Sequence, residues 1–160
     1  MVNTFLPFPD FRLSARVLDW KRLGKQRVEA MQIVNMLSGT ATKTGWKNHP
    51  AVHAWKDNLD ALKLYHNAIV KEWIARGYVN NMVLYEVDES NVKMPWWFGT
   101  YSFHISHQSN LMRKDENYYK EYFDLKKDQY NLPYVWPSKV SDEEKETMKR
   151  EIMKITVLEE

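Results

Sequence analysis

The chain has 160 residues, 44% of them hydrophobic, which suits one globular domain with a real core. It contains no cysteine, so disulfide frameworks and thiolate metal sites are excluded, and no apolar run approaches the ~18 residues of a membrane span. The net charge of +2 does not announce a nucleic-acid binder by itself, but residues 12–27 hold Arg12, Arg16, Lys21, Arg22, Lys25 and Arg27 against Asp19 alone, whereas residues 141–160 are acid-rich.

Met1 to Asp10 lack the basic region and small-residue cleavage site of a secretory signal, so a cytoplasmic or nucleoid-associated monomer is expected. Ser14 is placed to cap a first helix reaching about Leu37 and ending at Ser38-Gly39, with a kink at Gly24. On that helix Arg22, Lys25, Gln26 and Glu29 share a polar face, while Leu23, Ala30, Val34 and Leu37 form the apolar stripe. Arg27 falls inside the stripe. Burying an unpaired charge is costly, so Arg27 needs a buried ion pair, a snorkelling geometry, or a cleft where it meets phosphate.

After a loop over Thr40–Gly45, Asn48-His49-Pro50 opens a second helix that ends before Gly77. Val52, Trp55, Leu59, Leu62, Ile69 and Trp73 recur at steps of three, four and seven, so they face the core, and His66 shares their side. His49 and His53 have the i, i+4 spacing of zinc ligands, but no third ligand accompanies them. His49, with Trp46 and Lys47 at a helix N-terminus, better suits an anion.

Residues 78–101 are aromatic and mixed, and Pro95-Trp96-Trp97-Phe98-Gly99 reads as an irregular element. Trp96 and Trp97 are candidates for a surface on which bases stack. A third helix is expected over about Ser102–Phe123. It places His104, His107, Leu111, Lys114 and Tyr118 on one side, with Asn110 and Arg113 close by. Two histidines three apart could bind metal. Without supporting ligands, contact to a phosphate or base edge is the better functional reading, set against a hydrated helix face. Leu132–Pro137 is extended because two prolines deny it helix, and Ser141 with Glu144 forms a capping box that opens a charged last helix. The architecture expected is all-α: a compact helical bundle with an aromatic-rich irregular segment, covering residues 1–140, and a charged C-terminal helix appended over 141–160.

Three stretches carry a family resemblance: "TFLPFPDFRLSARVLDWKRLGKQRVEAMQI", "GWKNHPAVHAW" leading to "WIARGY", and "FHISHQSNLMRKDENYY" followed by "PYVWP". Over residues 3–137 the chain resembles the pyrimidine-dimer DNA glycosylases, the phage endonuclease V-like family, and most closely its cellular and viral branch. The resemblance implies an all-α DNA repair enzyme that acts on double-stranded damaged DNA with no metal or cofactor. Its relatives attack C1′ of the damaged nucleotide with the main-chain amine at the N-terminus, form an imine, and eliminate the 3′ phosphate with the help of a glutamate on the first helix. Here removal of Met1 would expose Val2 as that amine. An α-amine with a pKa of about 7.7–8.0 is partly neutral at cellular pH, and nearby arginines lower it further.

The family pattern has arginine followed directly by glutamate on this helix, whereas this chain has Arg22-Leu23-Gly24; Arg27 matches a family arginine. The carboxylates on hand are Glu29 and Asp19. Glu29 is preferred because it shares a face with Arg22 and Gln26 and can pair with Lys25. The expected catalytic pair is therefore Val2 and Glu29. The expected DNA contacts are Arg16, Arg22, Lys25, Gln26, Arg27, Trp46, Lys47, His49, His104, His107, Asn110, Arg113 and Lys114. A glycosylase with AP-lyase activity on pyrimidine dimers or another damaged base is the leading reading, and a non-catalytic helical DNA-binding protein is its alternative.

Overall fold

Two aspartates, not one serine, start the helical chain. The computed structural model describes residues 2–155. Asp10 caps α1 (Phe11–Val17) by accepting from Leu13 N at 2.7 Å. Leu18 and Asp19 turn extended, and Asp19 caps α2 (Trp20–Ser38). The single helix expected from Ser14 is thus two, and Ser14 is buried and bonded to both polar groups of the Phe8 backbone. The break leaves carbonyls at the end of α1 without helical partners. Arg76 fills them, donating to Ala15 O, Arg16 O and Leu18 O at 3.3, 3.0 and 2.7 Å.

Gly24 does not kink α2, which runs on to Gly39, whose φ of +76° ends the helix in the left-handed region. The glycine serves a close approach instead: a Cβ there would lie 3.0 Å from the indole of Trp73. Trp73 belongs to α4 (Leu59–Ala75), which follows the short α3 (Pro50–His53) after a turn. The expected second helix is broken there because Asn58, non-helical at φ −136°, donates its amide to Lys93 O. Helices α2 and α4 pack against each other, as do α1 and α4. Their interface holds Leu23, Ala30, Ile33, Leu62, Tyr65 and Ile69 in one core with Trp55 and Trp97.

The third expected helix is α5 (Tyr101–Lys114) and α6 (Glu116–Tyr119), interrupted at Asp115, whose side chain accepts from Tyr118 N. Ser141 caps α7 (Asp142–Arg150) as its spacing to Glu144 predicts. Met148 of α7 joins the common core, and Tyr101 N donates to Glu151 O at 2.7 Å, so this last helix is tied to the start of α5. Among the described residues there is no β-strand, only an isolated bridge between Thr100 and Ile152. The fold is all-α. No helix among these residues is long and apolar enough to cross a membrane.

Helix α5 explains why the polar chemistry of residues 103–109 is internal. It is covered on two sides by irregular chain, residues 3–8 and residues 130–136, and each segment is held by side chains rather than by a sheet. Backbone groups buried this way must find partners, and here serine, asparagine, glutamine, histidine and arginine side chains supply them. Ser109 Oγ accepts from Leu132 N at 3.0 Å and Ser106 Oγ from Val135 N at 3.2 Å. Asn110 and Arg113 donate to Leu132 O, and Arg113 also to Tyr130 O at 2.7 Å.

Candidate active site

The opening residues are threaded between α2, α4 and α5 by a ladder of side-chain hydrogen bonds. Asn3 N donates to Glu29 Oε2 at 3.2 Å, and Asn3 O accepts from Gln26 Nε2 at 2.9 Å. Phe5 N donates to Gln26 Oε1 at 3.1 Å, while Phe5 O accepts from the Tyr65 hydroxyl at 2.8 Å. Leu6 N donates to His107 Nδ1 at 3.0 Å, and His104 Nδ1 donates to Leu6 O at 2.7 Å. Gln108 takes Pro7 O at 2.8 Å, and Trp55 Nε1 reaches Thr4 Oγ1 at 3.0 Å. Gln26 is fully buried: its Nε2 donates to Asn3 O and Glu29, and its Oε1 accepts from Phe5 N and shares the one Tyr65 hydroxyl proton with Phe5 O.

Where this segment meets α2 there is a cavity of about 280 Å³, lined by Asn3, Phe5, Lys21, Arg22, Lys25, Gln26, Glu29, Lys114 and Tyr134. Four cations surround one carboxylate. Glu29 is 6% exposed, and burial pushes its carboxyl pKa up, against the opposing pull of the Asn3 amide and Lys25. Gln26 Nε2 donates to Glu29 Oε2 at 2.8 Å, and Lys25 Nζ stands 3.6 Å from Oε1. Lys25 is largely exposed, so that ion pair contributes little to stability. Burial lowers the Lys114 pKa, and Arg22, Lys25 and Arg113 lower it further by repulsion. Arg22 is oriented by Asp19, 3.1 Å from Nη1, and Asp19 is in turn held by the buried hydroxyl of Tyr119. Among the described residues Asn3 Nδ2 is buried without a hydrogen bond of ordinary geometry, beside Tyr134, whose hydroxyl pKa burial raises and the Asn3 side chain lowers.

Of the residues expected at the site, Arg22, Lys25, Gln26, Glu29 and Lys114 line this cavity, and Val2 precedes Asn3 in the same segment, partly buried against the core. The others go elsewhere. His104 and His107 are 0% and 1% exposed, and burial lowers their pKa values to about 4 and about 3. They are neutral clamps on Leu6, not a wall of the cleft. His104 carries its proton on Nδ1 for Leu6 O and accepts from Gly99 N on Nε2, while His107 accepts on Nδ1 and is therefore protonated on Nε2. Asn110 and Arg113 anchor the 130–135 segment, as described above. Their spacing marks one helix face correctly, but that face is covered.

His49 is the N-cap of α3, accepting from Ala51 N at 3.0 Å and standing edge-on to Trp136, so its ring is not turned to an anion. Trp46 packs against the core, and Lys47 and Arg16 are exposed outside the cavity lining. Arg27 meets an aromatic ring rather than an acid: its guanidinium lies 4.1 Å from the Trp73 ring centroid and donates to Asn80 at 3.4 Å. Trp97, expected at a stacking surface, is 1% exposed with its Nε1 bonded to Ala54 O, and Trp96 is partly covered by Lys145.

Phe5 and Tyr134 line the cavity without having been singled out by sequence, and Lys21, counted in the basic run of residues 12–27, was not assigned to the site. Lys21 was within reach, because it sits four residues before Lys25 on the same helix face. Tyr134 lies in the two-proline stretch recognised as extended, but nothing local says which helix that stretch docks on.

A family model for pyrimidine dimer DNA glycosylase matches residues 2–86, which span the opening segment and α1 to α4. The chain belongs to that family. No curated protein and no solved structure matches it.

Proposed function

We propose that the cavity on α2 is the active site of a DNA glycosylase with lyase activity, acting on pyrimidine dimers or another damaged base in duplex DNA within the cell. The observation that carries this reading is the hydrogen bond from Asn3 N to Glu29 Oε2, which lays the start of the chain across the one carboxylate in a cationic cavity. With Met1 removed, the neutral amine of Val2 attacks C1′, the C1′–N bond breaks, and the base leaves with the bonding electrons and takes up a proton. The amine gives up a proton, and the C1′–O4′ bond then breaks, O4′ taking up a proton as the sugar ring opens. This leaves at C1′ an iminium that acidifies C2′. Glu29 takes a C2′ proton, the electrons form a C1′–C2′ enamine, and the C3′–O bond then breaks to release the 3′ phosphate. Water hydrolyses the remaining imine and returns the amine.

The residues present suit these steps. A carboxylate whose pKa is raised by burial is a stronger base than one in water. Asp19, the other candidate, is committed to capping α2 and to holding Arg22 and Tyr119, and does not line the cavity. Lys21, Arg22, Lys25 and Lys114 would hold the phosphates that flank the reacting sugar, and their charge disfavours protonation of a nearby amine.

The test is borohydride reduction of the protein with duplex DNA carrying a pyrimidine dimer or an abasic site. A covalent adduct that maps to the first residue of the mature chain is expected. Glu29→Gln should still give the adduct but lose strand cleavage by about 10²-fold or more, the size of a general-base contribution. Tight, salt-sensitive binding with no adduct would replace this reading with a non-catalytic DNA-binding one, in which the three donors on Glu29 are only structural.

A further inference from the structure

We propose that the face of α2 bearing Trp20 is a stacking platform for an unpaired base of the DNA strand that leaves the cavity, a contact that rests on the reading of the cavity as a DNA site. Trp20 is 56% exposed, whereas every other tryptophan is partly or fully buried. A bare indole costs hydrophobic free energy in water and calls for something flat to cover it. Its immediate neighbour supplies the link to the cleft. Lys21 Nζ lies 5.8 Å from the Trp20 ring centroid, and the same side chain lines the cavity. A phosphate held by Lys21 therefore leaves the adjoining nucleotide beside Trp20.

The surface continues along the helix. Trp20, Gly24 and Arg27 are spaced i, i+4 and i+7, so they share one face. Gly24 lets the Trp73 indole lie against the helix, and Arg27 stacks on the same indole at 4.1 Å. Tyr78, 40% exposed, lies 4.3 Å from Trp73 and is tilted only 31° from it. Aromatic planes interleaved with Lys21 and Arg27 fit the two features every strand offers: a π-face on each base and a negative charge on each phosphate. A platform of this kind is sequence-tolerant. It suits the bases that lose their partners when the duplex is opened at a lesion.

The experiment measures the affinity of the full chain for fluorescein-labelled oligothymidylate by anisotropy, at several salt concentrations. Trp20→Ala should bind roughly five-fold or more weakly, Trp20→Phe should keep most of the affinity, and neither should change the salt slope, because no charge is removed. Equal affinity of Trp20→Ala and the unsubstituted protein overturns the platform and leaves this face to a protein partner. A loss in Trp20→Phe as large as in Trp20→Ala also overturns it, since stacking accepts any aromatic ring, as does failure of the unsubstituted protein to bind the oligonucleotide. The catalytic reading fails separately: no borohydride adduct on damaged duplex, with affinity still dependent on Trp20, removes the lyase and keeps the platform.

Discussion

Acidification should loosen the segment over residues 3–8, which lies against the cavity. His104 and His107 hold Leu6 from both sides in their neutral forms, and their pKa values are lowered from 6.5 to about 4 and about 3. A histidine with a depressed folded pKa binds its proton more readily unfolded, so stability is full above the unfolded value and falls as pH drops below it. Between pH 7 and pH 5 each of the two should cost just under about 2 kcal/mol, or about 4 kcal/mol together, a large part of the ~5–15 kcal/mol typical of a domain. His66, also lowered by burial, adds to the loss. Glu29 opposes it, because a raised carboxyl pKa makes the folded state the better proton acceptor as pH falls. The measurement is therefore differential: urea unfolding at pH 7 and pH 5 for the unsubstituted protein and for His107→Gln. The variant should be less stable at pH 7 by about 1–3 kcal/mol, for the lost or poorer bond to Leu6 N, yet its drop on acidification should be smaller by about 2 kcal/mol. A variant with the full acid-induced drop would refute the assignment of His107 as a buried neutral acceptor.

Arg22→Ala and Lys114→Ala should each reduce the log–log salt slope of duplex binding by about one, if both hold phosphates; an unchanged slope in both, with folding intact, removes them from the interface. Gly24→Ala gains up to about 1 kcal/mol of helix propensity, but its Cβ would meet the Trp73 indole at 3.0 Å, and overpacking typically costs ~1–3 kcal/mol. A lower Tm is expected, and a higher one would mean that Trp73 yields without loss.

The fold class and most helical residues were legible in the sequence because amphipathic spacing and capping chemistry are local. Ser141 with Glu144, Pro50 in the first turn of α3 and the core face of Val52, Trp55, Leu62 and Ile69 all stand where their patterns place them. The breaks at Leu18, Asn58 and Asp115 were not legible, since Arg76 and Lys93, which help fix the first two, come from distant parts of the chain. The site divides in the same way. The clustering of Arg22, Lys25, Gln26 and Glu29 follows from helix periodicity alone. His104, His107, Asn110 and Arg113 have the residue types that read DNA, but the same donors and acceptors also satisfy buried backbone. Only tertiary structure decides which they do, and here two irregular segments claim them.

That allocation bears on how the site is built. An irregular segment with no sheet partner would leave buried amides and carbonyls unpaired, at about 1–3 kcal/mol each. Using α5 and Gln26 to satisfy residues 3–8 fixes the start of the chain without a strand, and so places it against α2 rather than along a sheet edge. Glu29 is the point where the two requirements meet. One of its oxygens completes the ladder through Asn3 N and Gln26, while the other faces Lys25 on the cavity side. A carboxylate so divided is held in place by the segment whose chemistry it would serve. The Glu29→Gln substitution removes the charge but leaves an amide oxygen able to accept from Asn3 N, so it separates the role in positioning from the role as a base.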